Sequence, residues 1–527
     1  MKWFFLVCSV LALSACPVGQ VVCKAGTIPC GNGCVDPSSD RRNCGACGNQ
    51  CVTGQDCTPD AGENHASACE CRPGTTTCAT GCAVTNSDVH NCGGCGVECG
   101  SGKYCQAGAC VDDCTTPTLT RCGFGCVDTS SDGFNCGGCG VECAQGQTCV
   151  NGVCDYPAVA ACYWSGQLIG FNPDTGVKGP LSDLGSNPGP LARLDATVLV
   201  ADGTDKRLYQ AVPSSSGAYA MASKATTTGD VPNHALVDGD FVYLANAGAG
   251  TLQVLQKNTS TGVVDLGSGV TPPLTLGTVA ELQLGLNTFP QAAAKVGNTL
   301  YVPLYGGYGA EAADAGQTVQ LIDVSTPAAP ALLGRVSLKG LDLHAFDGGS
   351  PVARPWAITT QGDTVYVALS NLNPDSYAVE GPGMVARLFT DGGVDALDLG
   401  AADCLNPQWV TTVGNAVAVS CGGRPTYDAN YAITAIEASG VVLVENGVKT
   451  AAWSGASCAS GGACKPLFPG RMTAQGTKLL VTDQNGGRLV VLDTASGLTE
   501  VHGVDDALSL CPAGPSGAAN VADVNAR

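Results

Sequence analysis

The chemistry open to this sequence rests first on sulfur. The chain holds 32 cysteines against five histidines in 527 residues. Two cysteines lie near the start, Cys8 and Cys16, 24 fall between Cys23 and Cys154, and six lie beyond. The dense stretch is one unit written three times. The first copy runs Cys23, Cys30, Cys34, Cys44, Cys47, Cys51, Cys57, Cys69. The second runs Cys71, Cys78, Cys82, Cys92, Cys95, Cys99, Cys105, Cys110, and the third Cys114, Cys122, Cys126, Cys136, Cys139, Cys143, Cys149, Cys154. From the second to the seventh cysteine of every copy the gaps are 3, 9, 2, 3 and 5 residues. Cys-x-x-Cys pairs can hold zinc. Eight cysteines in so short a unit read instead as four internal bridges, because a unit of this size buries little apolar surface and needs covalent staples. Spacing alone does not choose among the roughly one hundred possible connectivities.

Inside each copy a polar motif recurs: Asp40-Arg41-Arg42-Asn43-Cys44-Gly45-Ala46-Cys47-Gly48, then Asp88 to Gly96, then Asp132 to Gly140. Its Asp and Asn read as turn formers that bond their own backbone, with calcium ligation as the alternative. This Asp-x-x-Asn-Cys-Gly-x-Cys-Gly pattern resembles the stigma-specific Stig1-like family of secreted modules, over roughly Cys23 to Cys154. The resemblance implies an extracellular module, with plant members bearing on signalling and lipid binding. The three copies together read as a stiff, protease-resistant stalk.

A second reactive sulfur is Cys16. Lys2, the apolar run Trp3 to Leu13 and the small residues after it form a secretion signal. That run is too short to span a bilayer. Leu13-Ser14-Ala15-Cys16 resembles the bacterial lipobox, which implies cleavage before Cys16 and acylation of its thiol and freed amine. Several acyl chains hold a protein firmly where one does not. By the same resemblance, Pro17 in place of an Asp implies the outer membrane or the cell surface of a Gram-negative bacterium rather than inner-membrane retention. The membrane is therefore one expected partner, through the acyl chains. Nucleic acid is not, because 45 acidic against 25 basic residues leave a net charge of −20.

What must position any further chemistry is the long remainder. It is rich in Gly and in short Val, Leu and Thr runs, a strand-and-turn composition. Six prolines each lead into a hydrophobic strand: Pro190 to Thr197–Val200, Pro232 to Phe241–Leu244, Pro290 to Leu300–Val302, Pro355 to Thr364–Val367, Pro407 to Val417–Val419, and Pro469 to Leu479–Val481. Glycine turns such as Asp238-Gly239-Asp240 precede these strands. Repeats of this length, built of short strands, signal a propeller. The segment resembles the YVTN and lactonase-like seven-bladed propellers, and Val319 to Pro330 is similar to the LVIVD propeller repeat. Six blades follow from the six prolines; the seventh needs Ala160–Trp164 and Leu168–Phe171 from one end and Pro515–Val521 from the other. Cys404 before Pro407 and Cys421 after it match Cys511 before Pro515 and Cys162 in the following strand. One rule therefore pairs Cys404–Cys421 and Cys162–Cys511, leaving Cys458–Cys464 for a local loop.

The expected fold is all-β: disulfide-rich small repeat modules followed by a seven-bladed β-propeller. Its divisions are a signal at 1–15, a tether at 16–22, repeats at 23–69, 71–110 and 114–154, and a propeller at 158–527. No His-Glu-x-x-His, Gly-x-Ser-x-Gly or phosphate-loop motif occurs in the sequence, and no catalytic residue, metal or cofactor is expected. The residues just past each proline should ring the channel mouth: Asn233, His234, Gln291, Trp356, Gln408, Trp409 and Arg471. Long loops add Tyr305, Tyr308, Tyr377, Arg424 and Tyr427. Such an aromatic and polar funnel suits a glycan, a peptide or a protein partner of the envelope. The reading is a non-enzymatic, lipid-anchored binding protein; the alternatives are a lactonase-like hydrolase or lyase and a structural scaffold.

Overall fold

The computed structural model describes residues 28–527, except residues 32, 39, 53, 59–66, 73, 80, 117, 185–186, 267–269, 273, 308–315, 428–432, 456–466, 485, 504–506 and 515–518. Cys16, Tyr308 and the Cys458–Cys464 pair lie outside the described residues. Every element among the described residues is a β-strand. The chain forms two compact units, residues 1–127 and 128–527.

The modules carry one bridge pattern. In the second copy it is Cys71–Cys82, Cys78–Cys95, Cys92–Cys105 and Cys99–Cys110. Counting cysteines within a copy, this is first to third, second to fifth, fourth to seventh and sixth to eighth. Cys30–Cys47, Cys44–Cys57 and Cys51–Cys69 repeat it in the first copy, as do Cys114–Cys126, Cys136–Cys149 and Cys143–Cys154 in the third. Two bridges stack at each centre, so that the sulfurs of Cys92, Cys99 and Cys110 come within 4.8 Å of one another. That proximity resembles a thiolate metal cluster, but here each sulfur is already bonded to another.

The recurring Asp and Asn make turns. Asp88 accepts from the His90 N–H at 2.9 Å and from Asn91 Nδ2 at 2.7 Å, and Asn91 Oδ1 accepts from the Gly96 N–H at 2.8 Å. The glycine between them answers to a steric limit. A Cβ on Gly93 would sit 2.5 Å from the Gly108 carbonyl oxygen, and φ there is +78°. Gly45 and Gly137 meet the carbonyls of Ser67 and Gly152 at the same 2.5 Å.

Within the first unit the modules join through backbone rather than loose linkers. The Arg72 N–H donates to the Gly54 carbonyl at 3.0 Å, and Arg72 Nε bonds Asp56 at 2.7 Å. Strand Tyr104–Gln106 pairs in parallel with Gly125–Val127, opening the third copy.

Among the described residues the second unit holds seven blade sheets, mostly of four antiparallel strands, and two separate two-stranded hairpins. Their innermost strands are Val521–Ala526, Pro188–Leu194, Pro232–Asp238, Ala294–Val296, Pro355–Gln361, Pro407–Val413 and Pro469–Gln475, in blades one to seven. The second strands are packed between neighbouring blades on both faces, and Thr197–Asp202 and Ala416–Cys421 are buried throughout. That double burial produces the hydrophobic runs seen in the sequence. Proline opens an inner strand because it needs no N–H donor there, and a bulge follows it, as between Pro232 and His234 or Pro407 and Trp409. In blade two the opening proline is Pro188, paired with Asp202, rather than the expected Pro190, which falls inside the bulge.

Blade one is built from both chain ends. Val521–Ala526 pairs antiparallel with Ala158–Cys162. Cys162–Cys511 and Cys404–Cys421 are bridged as one rule required. The chain does not divide at Asp155-Tyr156-Pro157, where cysteine density falls. The second half of the third module packs on the first blades: Gln147 Nε2 donates to the Ser214 carbonyl at 2.9 Å, and Gly146 lies against Val177 and Tyr156.

The close approach at the motif glycine gives a direct test. Gly93→Ala should destabilise the second module by about 1–3 kcal/mol, the usual penalty for a strained left-handed residue. Limited proteolysis between Cys71 and Cys110 should accelerate accordingly.

Candidate functional site

The bulge after each proline turns the following side chains toward the ring axis, and several of them meet in one layer. The guanidinium of Arg471 lies over the Trp409 ring, 4.5 Å from its centre. Its Nη2 donates to the Asn233 carbonyl, and Nη1 is 3.5 Å from Asp523 Oδ2. The same Asp523 oxygen accepts the Leu191 N–H at 2.8 Å. Asn233 Nδ2 donates to Gln291, and the His234 ring sits 5.7 Å from Trp409. The layer therefore draws on blades one, two, three, four, six and seven, and it closes the channel like a plug.

Burial sets the charge states in this layer. It pushes the His234 imidazole down to about 3, aided by the Arg471 charge, so the ring is neutral. His234 Nδ1 accepts the Ala293 N–H at 3.2 Å, which leaves the proton on Nε2. Burial raises the Asp523 carboxyl, while Arg471 and two backbone N–H groups pull it back down. Burial likewise lowers Arg471, opposed by Asp523.

Below the plug the channel widens into a cavity of about 330 Å³. Thr359, Thr360, Thr411, Thr473 and Asn525 line it, and Lys295 is paired with Asp238 at its side. Thr359 and Thr412 share a 3.1 Å hydroxyl contact, and Thr412 also donates to the Thr360 carbonyl at 2.8 Å. Apart from Asn525, these groups occupy the last residues of the inner strands, just ahead of glycine turns such as Gly239, where φ is +58°. The glycine at the first turn position is the type II′ pattern of a tight hairpin.

The expected ring of ligand-facing residues thus separates into three sets. Asn233, His234, Gln291, Trp409 and Arg471 come together in the plug, and Gln408 sits beside it, bonding Asn406 Oδ1 at 2.9 Å. Tyr305 and Trp356 form a second set, edge to face at 4.8 Å, organised by Arg354. That arginine is buried at φ +47°, lies 5.4 Å from the Tyr305 ring centre and 4.6 Å from that of Tyr377, and donates to the carbonyls of Tyr305, Gly306 and Pro374 at 2.9–3.1 Å. Arg424 and Tyr427 lie on a third element, the hairpin of Arg424–Tyr427 with Ile433–Glu437, where Arg424 pairs with Glu437 at 2.6 Å. Sequence reasoning missed Asp238, Lys295, Asp523, Arg354 and the threonines. The signal available for Asp238 and the threonines was their shared position one to three residues before the glycine turns.

Residues 107–157 match the model of the stigma-specific STIG1-like protein family. No curated protein matches the chain. Among solved structures, a putative 6-phosphogluconolactonase from Bacteroides fragilis is similar at 15% identity and TM-score 0.43, covering 67% of this chain and 96% of that one. BamB from Moraxella catarrhalis is similar at 14% identity and TM-score 0.35, covering 68% and 85%. Likenesses this distant add nothing to the architecture read from the strands themselves.

The neutral His234 has a consequence for stability. Its folded-state pKa lies below the ordinary histidine value, so in acid the unfolded chain binds a proton that the folded one refuses. Stability should therefore fall as pH drops from about 6.5 toward 3. Urea unfolding across that range should show a shallower pH dependence in His234→Gln than in the native protein.

Proposed function

We propose that this is an exported, lipid-anchored binding protein, whose propeller captures a component of the cell envelope rather than transforming it. The observation that carries this reading is the state of the channel. Its charged groups are matched, Arg471 with Asp523 and Lys295 with Asp238, and its histidine is held neutral at a pKa far below working pH. A general base works best with a pKa near the operating pH, so these groups suit recognition better than proton transfer. The disulfide framework supports export, since such density of bridges belongs to oxidising compartments. The lipobox-like Leu13-Ser14-Ala15-Cys16 supports attachment to the outer membrane or cell surface through acyl chains. The bridged modules then present the propeller to a glycan, a peptide or a protein of the envelope.

Metabolic labelling with a palmitate analogue tests the anchor. The native chain should take up label and partition into the detergent phase, and Cys16→Ser should do neither. An unlabelled native chain would overturn the anchoring reading. Lactonase turnover by the intact protein would overturn the non-enzymatic one.

A further inference from the structure

Among the described residues, the groups facing the channel cavity have a definite chemical character. Trp409, Thr411 and Thr473 line it, and the side-chain N–H and hydroxyls of these residues bond no other protein group. His234 adds a free N–H at Nε2, because its Nδ1 is already bonded. Asn525 Oδ1 is buried without a partner. The cavity thus offers N–H donors near the plug and hydroxyls that both donate and accept along its wall. Unmet polar groups of this kind are costly unless something bonds them.

No formal charge is left over to receive an ion. A carboxylate or an amine entering here would lose its hydration without gaining a counter-charge, a penalty of several kcal/mol. A ligand hydroxyl, in contrast, can satisfy a threonine hydroxyl and an N–H donor alike. The volume of about 330 Å³ lies at the small end of ligand pockets. The mouth is at the turn end of the inner strands. There the side chains of Asp238 and Lys295 are 41% and 25% exposed, against 17% and 10% for Arg471 and Asp523 in the plug.

From this set of groups we infer that the cavity below the plug binds a small neutral polyhydroxylated ligand, a sugar ring or cyclic polyol, admitted past Asp238 and Lys295. The site lies on the opposite side of the plug from the loops of Arg424 and Tyr427. The inference rests on the reading of the propeller as a binding head, and it adds the ligand's class and the side it enters.

The test uses the full-length protein in detergent and saturation-transfer NMR with glucose, galactose, mannose and myo-inositol, alongside glucuronate and glucosamine as charged rings of matching shape. At least one neutral compound should bind, and more tightly than either charged ring. Thr411→Val combined with Thr473→Val keeps the shape and removes two hydroxyls, and should weaken binding about tenfold. Failure of all four neutral compounds, preference for a charged ring, or indifference to the double substitution would each overturn the inference. An array of envelope glycans and peptides separates this outcome from failure of the broader reading. Binding there, unaffected by the double substitution, would leave the head a binding protein with its site elsewhere; no binding in either assay would remove both.

Discussion

The antiparallel pairing of the last strand, Val521–Ala526, with Ala158–Cys162 is the constraint on which the propeller depends. Seven sheets in an open arc would leave two exposed edges, each able to pair with another chain. Joining the ends removes them, and three features hold that join. Cys162–Cys511 ties the strand to the segment that leads back to it. Asp523 reaches forward to the Leu191 N–H of blade two and back toward Arg471 of blade seven. The fully buried Asp155 accepts from Tyr219 at 2.5 Å, the Tyr156 N–H at 2.8 Å, Arg193 at 2.5 Å and the final residue, Arg527, at 2.6 Å. Burial and the adjacent Asp155 charge push the Tyr219 hydroxyl well above its ordinary value, so it stays a donor. With four donors met, the carboxylate is fully bonded, and loss of one charged partner from such a site typically costs about 3–5 kcal/mol.

Closure also makes the channel what it is. The residue that balances Arg471 comes from the last strand, and so does Asn525, which lines the cavity. An unclosed ring would leave Arg471 buried without a counter-charge. The third module takes part as well, because Asp155 is supplied by its final hairpin strand, Val153–Asp155. That strand sits beside the bridge Cys143–Cys154, so the oxidised framework of the module fixes the carboxylate that holds the chain's end. Bridge formation and closure are in this sense one physical requirement.

Much of this was legible in the sequence because the strongest signals come from positions with a single physical demand. The second strands of the blades must be apolar on both faces, and they stand out as unbroken runs such as Thr364–Val367. Prolines open inner strands, and cysteines of equal spacing bridge equally. Identical spacing could not fix the module connectivity, since it carries no information about which sulfurs meet. The site was legible only in part. Asn233, Gln291, Trp409 and Arg471, just past the prolines of blades three, four, six and seven, bond or pack against one another and fill the space they were expected to surround. Arg354 gave no warning, because its role depends on Tyr305 and Tyr377, far away in the chain and brought together by loops. The boundary at Asp155 misled for a similar reason: composition changes there, but the packing does not.

Hydrogen–deuterium exchange on the intact, oxidised protein tests closure most directly. If the chain ends lock the ring, amides of Val521–Ala526 should exchange as slowly as those of the inner strands Pro355–Gln361 and Pro407–Val413, opening only with global unfolding. Rapid, independent exchange of Val521–Ala526 while the other inner strands stay protected would show a ring that is not held by its ends, and would contradict the account.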